Sequence, residues 1–190
     1  MKKNLIHKSI EDANLVLKKI EKTKYIFLIT KIIELCQMTI IKKGKIIFCG
    51  NGGSASDSMH LAAELIGRFK KKRKAISAIS LNSEISTITA IANDFGYEKI
   101  FERQLESIGN KRDVLIAIST SGKSKNILKV LNKAKKMKIR SILFTSAMFK
   151  TNKKIADITF KAPTKDIART QEVHILIGHL ICEALENLTK

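Results

Sequence analysis

The order of hydrophobic and polar positions divides the chain at Gly44. From about Ile10 to Lys43, apolar residues recur at threes and fours, through Leu15, Leu17 and Ile20 and then Ile26, Ile29, Ile32, Ile33, Cys36 and Ile40, with lysines between them. That spacing predicts two amphipathic helices ahead of any strand. Beyond Gly44, short apolar runs alternate with amphipathic segments. The runs Lys45–Cys49, Ala75–Leu81, Val114–Ser119, Ser141–Thr145 and Ile158–Lys161 are too short for ordinary helices and rich in Ile, Val and Phe, so they predict five strands. Helices between them, including one from Lys125 to Lys138, and a long terminal helix from about Ala168 to Leu188 after the single proline, Pro163, make a run of β-α-β units. The expected class is α/β, a three-layer αβα fold with a five-stranded parallel sheet in flavodoxin-like order. Binding loops in such a sheet gather at the carboxyl ends of the strands.

Composition narrows this picture. A chain of 190 residues with 44% hydrophobic content supplies one buried core, and no repeat or low-complexity linker marks a second domain. No run of eighteen apolar residues occurs, and the N-terminal Met1-Lys2-Lys3-Asn4-Leu5-Ile6-His7-Lys8 meets charges before a signal-type apolar stretch can form, so a soluble, cytoplasmic protein without membrane association is expected. Cys36, Cys49 and Cys182 are far apart and lack C-x-x-C spacing, which reads as small buried hydrophobes rather than disulfides or a thiolate zinc site. The formal charge of +19 invites a nucleic-acid reading. Lysine is spread along the whole chain, however, while Trp is absent and Tyr numbers only 2, so stacking platforms are missing and no nucleic-acid partner is expected. The charge instead suits a solvated surface that raises encounter rates with an anionic substrate.

Two loops carry candidate chemistry. Gly50-Asn51-Gly52-Gly53-Ser54-Ala55-Ser56 follows the first strand and leads into a helix. Its glycines allow close backbone approach to a ligand, and Ser54 is expected to cap a helix whose free N–H groups favour an anion. A tight strand-to-helix turn also explains this loop by itself; it is neither a G-x-G-x-x-G nor a Walker sequence. Ser119-Thr120-Ser121-Gly122-Lys123-Ser124 follows the third strand, and its four hydroxyls around one glycine can wrap a phosphate at a helix start. On neighbouring strands, the two loops suggest one ligand with a phosphate at one end and a polar body at the other.

Further along, His60 and Glu64 share a helix face at a spacing of four, where an imidazole and a carboxylate can hold a borderline cation or form a solvated polar pair. Gln171 and His179 sit on the apolar terminal helix, where a histidine can be a ligand or a core residue. His174 reads as structural. Eight residues of α-helix span about 12 Å, so Gln171 and His179 would share an ion only by leaning together, a strain that a metal bridging chains would relieve.

The Gly50-Asn51-Gly52-Gly53-Ser54 loop with His60 and Glu64, then Asn93-Asp94-Phe95-Gly96, Ser119-Thr120-Ser121-Gly122-Lys123-Ser124, Gln171-Glu172-Val173-His174 and Gly178-His179 resemble, in order, the sugar isomerase (SIS) fold and its phosphoheptose isomerases. The resemblance spans roughly Ile46 to Glu186. It implies one SIS domain over 1–190, with N-terminal helices over 1–43 and an α/β core over 44–190. It further implies an aldose–ketose isomerase that interconverts sedoheptulose 7-phosphate and D-glycero-D-manno-heptose 7-phosphate through a metal-stabilised enediolate. That reaction would be the first step of ADP-heptose and lipopolysaccharide core biosynthesis. The implied metal is zinc, one per subunit, held by His60, Glu64, Gln171 and His179, with Glu64 and His179 catalytic. Asn51, Gly52, Gly53, Ser54, Glu64, Asn93, Asp94 and Gln171 would contact the sugar, and Ser119, Thr120, Ser121 and Ser124 the phosphate. A homotetramer with sites at subunit interfaces is implied as well. Ile167 and Thr170 depart from the expected pattern, so contacts from the 165–170 loop do not carry over. Asp94 can alternatively be read as an N-terminal helix cap. The competing functional reading is a non-catalytic SIS protein that binds a replication initiator.

Overall fold

A computed structural model of the chain describes residues 2–188. Two helices, α1 (Lys2–Ile20) and α2 (Thr23–Ile41), precede the sheet, as the periodicity predicts. The sheet then follows as β1 (Ile46–Gly50), α3 (Gly53–Ile66), β2 (Ala78–Ser80), α4 (Ile85–Phe95), a 3-10 turn at Tyr97–Lys99, and α5 (Ile100–Ile108). It continues as β3 (Val114–Ile118), α6 (Lys125–Lys136), β4 (Arg140–Ser146), β5 (Ile158–Ala162) and α7 (Ile167–Glu186). All strand pairs are parallel, in the order β2-β1-β3-β4-β5, so the five predicted strands and the flavodoxin-like order hold.

The second strand is shorter than its apolar run, although the Ser77 carbonyl and the Leu81 amide still bond Ile46 and Phe48 of β1. Ala75–Leu81 reads as a strand, but only Ala78–Ser80 forms regular strand with β1, because Ile76 just before it is held to α3, its amide donating to the Leu65 carbonyl. Short-range alternation does not distinguish a strand from an extended segment pinned to a helix end.

Every residue of β1 and β3 is buried, as expected of central parallel strands covered on both sides. Alternate side chains feed two cores. On one face Ile46, Phe48, Ile116, Phe144 and Phe160 meet α2, α3 and α7; on the other Ile47, Leu115, Ala117 and Leu143 meet α5 and α6. Each fully buried Leu, Ile or Phe contributes about 1.5–3 kcal/mol relative to exposure. This two-sided clamp fixes the strand ends from which the loops emerge. Cys36, Cys49 and Cys182 are free and buried, and burial raises all three thiols, so they pack as the expected small hydrophobes. Among the described residues, no helix is long and apolar enough to cross a membrane.

Candidate active site

β1 and β3 lie side by side, with Gly50 in register with Ile118, and the strand order reverses between them. The two candidate loops therefore leave the sheet together at its topological switch point. In the first loop, Gly52 has φ +58, a left-handed conformation with open space around it, and it caps α3. The helix thus starts earlier than expected, and Ser54 is a buried residue inside its first turn, not its cap; its carbonyl accepts from Ser58 Oγ at 2.7 Å.

The second loop is ordered by its own groups. Gly122 takes φ +64 beneath the Phe149 ring, and its amide donates to the Ser119 carbonyl at 3.0 Å and to Ser119 Oγ at 3.1 Å. The Lys123 amide donates to Ser121 Oγ at 3.2 Å, and Ser119 Oγ lies 3.4 Å from Ser124 Oγ. From β4, Thr145 Oγ1 and the Ser146 amide both donate to the Thr120 carbonyl at 3.2 Å. Ser124 is the N-cap of α6 with no side-chain bond to the helix, and no acid occupies the first turn. The α6 N-terminus, with its free backbone N–H groups and serine hydroxyls, has the chemistry that favours an anion.

Residues outside the sequence motifs tie the two loops together. Asn51 and the buried Asn126 exchange amide hydrogen bonds of 2.9 and 2.8 Å, and Tyr97 donates its hydroxyl to Asn51 Oδ1 at 3.0 Å. Asn82 extends the β2 edge by side chain, bonding the Gly50 carbonyl and amide at 2.9 and 3.1 Å. Asn51 is thus partly committed to holding the loops. Asn93 and Asp94 lie exposed in the last turn of α4, bonded to each other at 2.8 Å. Asp94 is accordingly at a helix C-terminus and not an N-cap, and the chain runs on through Gly96 to Tyr97 beside Asn51.

Beyond the loops, α3 and α7 lie face to face. Gly178 packs on Leu61, which lets His60 and His179 meet across the helices with Nε2 atoms 2.9 Å apart. Glu64 Oε1 lies 3.5 Å from His60 Nε2, and the Phe69 ring stacks on His179 at 5.3 Å and 24°. Burial, with the neighbouring His60 and Lys70 charges, holds the His179 pKa below the ordinary imidazole value although Glu64 acts to raise it, so its neutral, lone-pair form is favoured. Gln171 lies two turns earlier on α7, its carboxamide against Gly53 in the glycine-rich loop after β1. His174 faces the core as expected, its Nε2 3.1 Å from the Thr145 carbonyl, and burial lowers its pKa to about 4. Asp57, which the motif reading passed over, has a buried Oδ2 with no hydrogen-bond partner among the described residues, and burial raises its pKa.

Among the described residues, no three His, Cys, Asp or Glu side chains gather closely enough to hold a metal ion. The donor chemistry of His60, Glu64 and His179 nevertheless suits zinc. Two imidazole nitrogens and a carboxylate oxygen would hold such an ion in place of the direct contact between the rings. Asp57, whose buried Oδ2 lacks a hydrogen-bond partner among the described residues, stands three residues before His60 on the same helix.

The SIS domain family model matches residues 10–146. A phosphoheptose isomerase of Helicobacter pylori is 50% identical over 154 residues, covering 81% of this chain and 80% of that protein. Phosphoheptose isomerase 1 of Campylobacter jejuni is 47% identical over 158 residues, covering 83% and 85%. The solved phosphoheptose isomerase of Neisseria gonorrhoeae superimposes with a TM-score of 0.88 at 31% identity, over 97% of this chain and 99% of that one. These relatives favour a catalytic protein over the non-catalytic alternative. The chain belongs to the SIS-domain family and, within it, to the phosphoheptose isomerases, which are sugar-phosphate isomerases.

Proposed function

We propose that this single SIS domain, 1–190, interconverts sedoheptulose 7-phosphate and D-glycero-D-manno-heptose 7-phosphate in the cytoplasm, as the first step of ADP-heptose and lipopolysaccharide core biosynthesis. The observation that carries the reading is the meeting of His60, Glu64 and His179 beside two anion-type loops. The phosphate binds at the α6 N-terminus through Ser119, Thr120, Ser121 and Ser124. The open-chain sugar extends over Asn51, Gly52, Gly53 and Ser54 toward Asn93, Asp94 and Gln171.

Moving a carbonyl between C1 and C2 requires two proton transfers. Glu64 removes the proton from the carbon next to the carbonyl, giving an enediolate, and returns it to the other carbon. His179, held neutral by burial, shuttles the oxygen-bound proton from one oxygen to its neighbour. His60, Glu64, Gln171 and His179 would hold one zinc per subunit, which when bound supplies Lewis-acid stabilisation of negative oxygen. Gln171, packed at the loop end of α7, serves both as an exchangeable ligand and as a sugar contact.

The exposed apolar side chains support a homotetramer with sites at subunit interfaces. Leu5 is 71% exposed, Phe27 59% and Ile85 74%, and α4, which carries Asn93 and Asp94, buries no residue in the monomer. Exposed apolar surface of this kind marks an interface.

Purified protein is expected to contain about one zinc per chain, and removing it with a chelator abolishes heptose phosphate interconversion until zinc is restored. Full activity of metal-free protein removes zinc from the reading.

A further inference from the structure

Arg73 and Glu186 lie outside every motif of the site, yet both side chains are only 1% exposed. Arg73 is the fourth residue of Lys70-Lys71-Lys72-Arg73-Lys74 and turns inward among four lysines. Its guanidinium closes the C-terminal end of α3: Nη2 donates to the Glu64 carbonyl at 2.8 Å, and Nη1 to the carbonyls of Leu65 at 2.8 Å and Gly67 at 3.3 Å. A third Nη1 contact reaches the Lys74 carbonyl at 3.0 Å. No basic residue stands in the last turn of α3 itself, so this task falls to a residue outside the helix.

Nε of Arg73 lies 3.3 Å from Glu186 Oε1, an ion pair by distance without a hydrogen bond at Nε among the described residues. That carboxylate accepts from the Phe69 amide at 3.2 Å and the Lys70 amide at 3.0 Å. Burial acts to raise the Glu186 pKa, but the backbone amides of Lys71, Lys70 and Phe69, with Arg73, outweigh it and keep the group ionised. The pair therefore touches the main chain at both sides of the reacting centre. It holds the carbonyl of Glu64, and it holds the amide of Phe69, whose ring backs His179.

We infer that the buried Arg73–Glu186 pair is a positioning element that sets Glu64 on α3 against His179 on α7. The inference rests on the proposed roles of Glu64 and His179. A lysine at position 73 keeps the charge but not the planar fork that reaches several carbonyls at once. Misplacement of the carboxylate by a fraction of an ångström lowers the rate of proton transfer while leaving the remote phosphate loop intact.

The test is steady-state kinetics of heptose 7-phosphate interconversion by wild type, Arg73→Lys and Glu186→Gln, with inorganic phosphate as competitive inhibitor and thermal melting alongside. Arg73→Lys is expected to lower kcat by about 10- to 100-fold while KM and the phosphate inhibition constant stay within about twofold. Glu186→Gln, which preserves shape, lowers kcat by about 3- to 10-fold in the same pattern and carries the test if Arg73→Lys does not fold. A folded variant pair with wild-type kcat overturns the inference and leaves the proposed function standing. Equal loss of phosphate inhibition and turnover also overturns it, because the pair then supports the fold generally. A wild type inactive on the heptose phosphate overturns the underlying reading, and the inference with it.

Discussion

The two ends of the site are built in opposite ways. At the end proposed to bind phosphate, Ser119 to Ser124 are organised mostly from within, by one glycine at φ +64, hydrogen bonds between residues two to five apart and a helix N-terminus, with β4 adding two bonds to the Thr120 carbonyl. At the end proposed to react, only the His60–Glu64 pair, four residues apart on α3, is local. His60 and His179 are 119 residues apart in sequence, and their alignment depends on the packing of α3 on α7 and on a buried pair at the far end of both helices. The difference teaches that binding can be encoded in a short segment, whereas proton transfer needs side chains held from several directions.

Substitutions at the two ends should therefore fail differently. Glu64→Gln is expected to lower kcat by about 10³-fold or more while leaving phosphate inhibition nearly unchanged, since the proposed base is lost and the serine loop is untouched. Turnover near the wild-type rate would remove Glu64 as the base and dissolve the contrast. Ser121→Ala combined with Ser124→Ala is expected to raise KM by about 10- to 100-fold, the equivalent of one or two charge-assisted hydrogen bonds, with kcat altered by less than about threefold. An unchanged KM would put the phosphate elsewhere.

The smallest effect concerns His174, which joins α7 to the β4 strand beneath the phosphate loop. Its folded pKa of about 4 lies below the value of about 6.5 for a free imidazole, so the unfolded chain binds the proton more readily between those values. Stability should fall as pH is lowered through that window, by at most about 3 kcal/mol from this group. His174→Gln keeps a donor for the Thr145 carbonyl but cannot titrate, and its melting temperature should fall less between pH 6.5 and pH 4 than that of wild type. Identical pH profiles would show that acid sensitivity arises elsewhere.

The contrast also explains what the sequence makes legible. The strands and their order follow from the alternation of apolar runs, and the phosphate loop is visible because its hydroxyls, glycine and helix start are contiguous. The reading goes astray where a rule of local preference meets a tertiary contact. Ser54 looks like a cap, but Gly52 can take the left-handed conformation and starts the helix first. Ala75 and Ile76 look like strand, but Arg73 and Ile76 bind this segment to the end of α3. The Asn51–Asn126 pair, 75 residues apart, has no local signal at all. Arg73 is hidden among lysines, a setting that reads as solvated surface until its four carbonyl partners appear.

The central claim is that this constellation interconverts a seven-carbon ketose phosphate and its aldose by moving one proton between C1 and C2. The most direct measurement follows sedoheptulose 7-phosphate by NMR with the zinc-loaded wild-type protein in deuterated water. The account predicts appearance of the aldose heptose 7-phosphate to a fixed equilibrium ratio, with any solvent deuterium entering only at C1 of the ketose and C2 of the aldose. No aldose, or deuterium at other carbons, would contradict it.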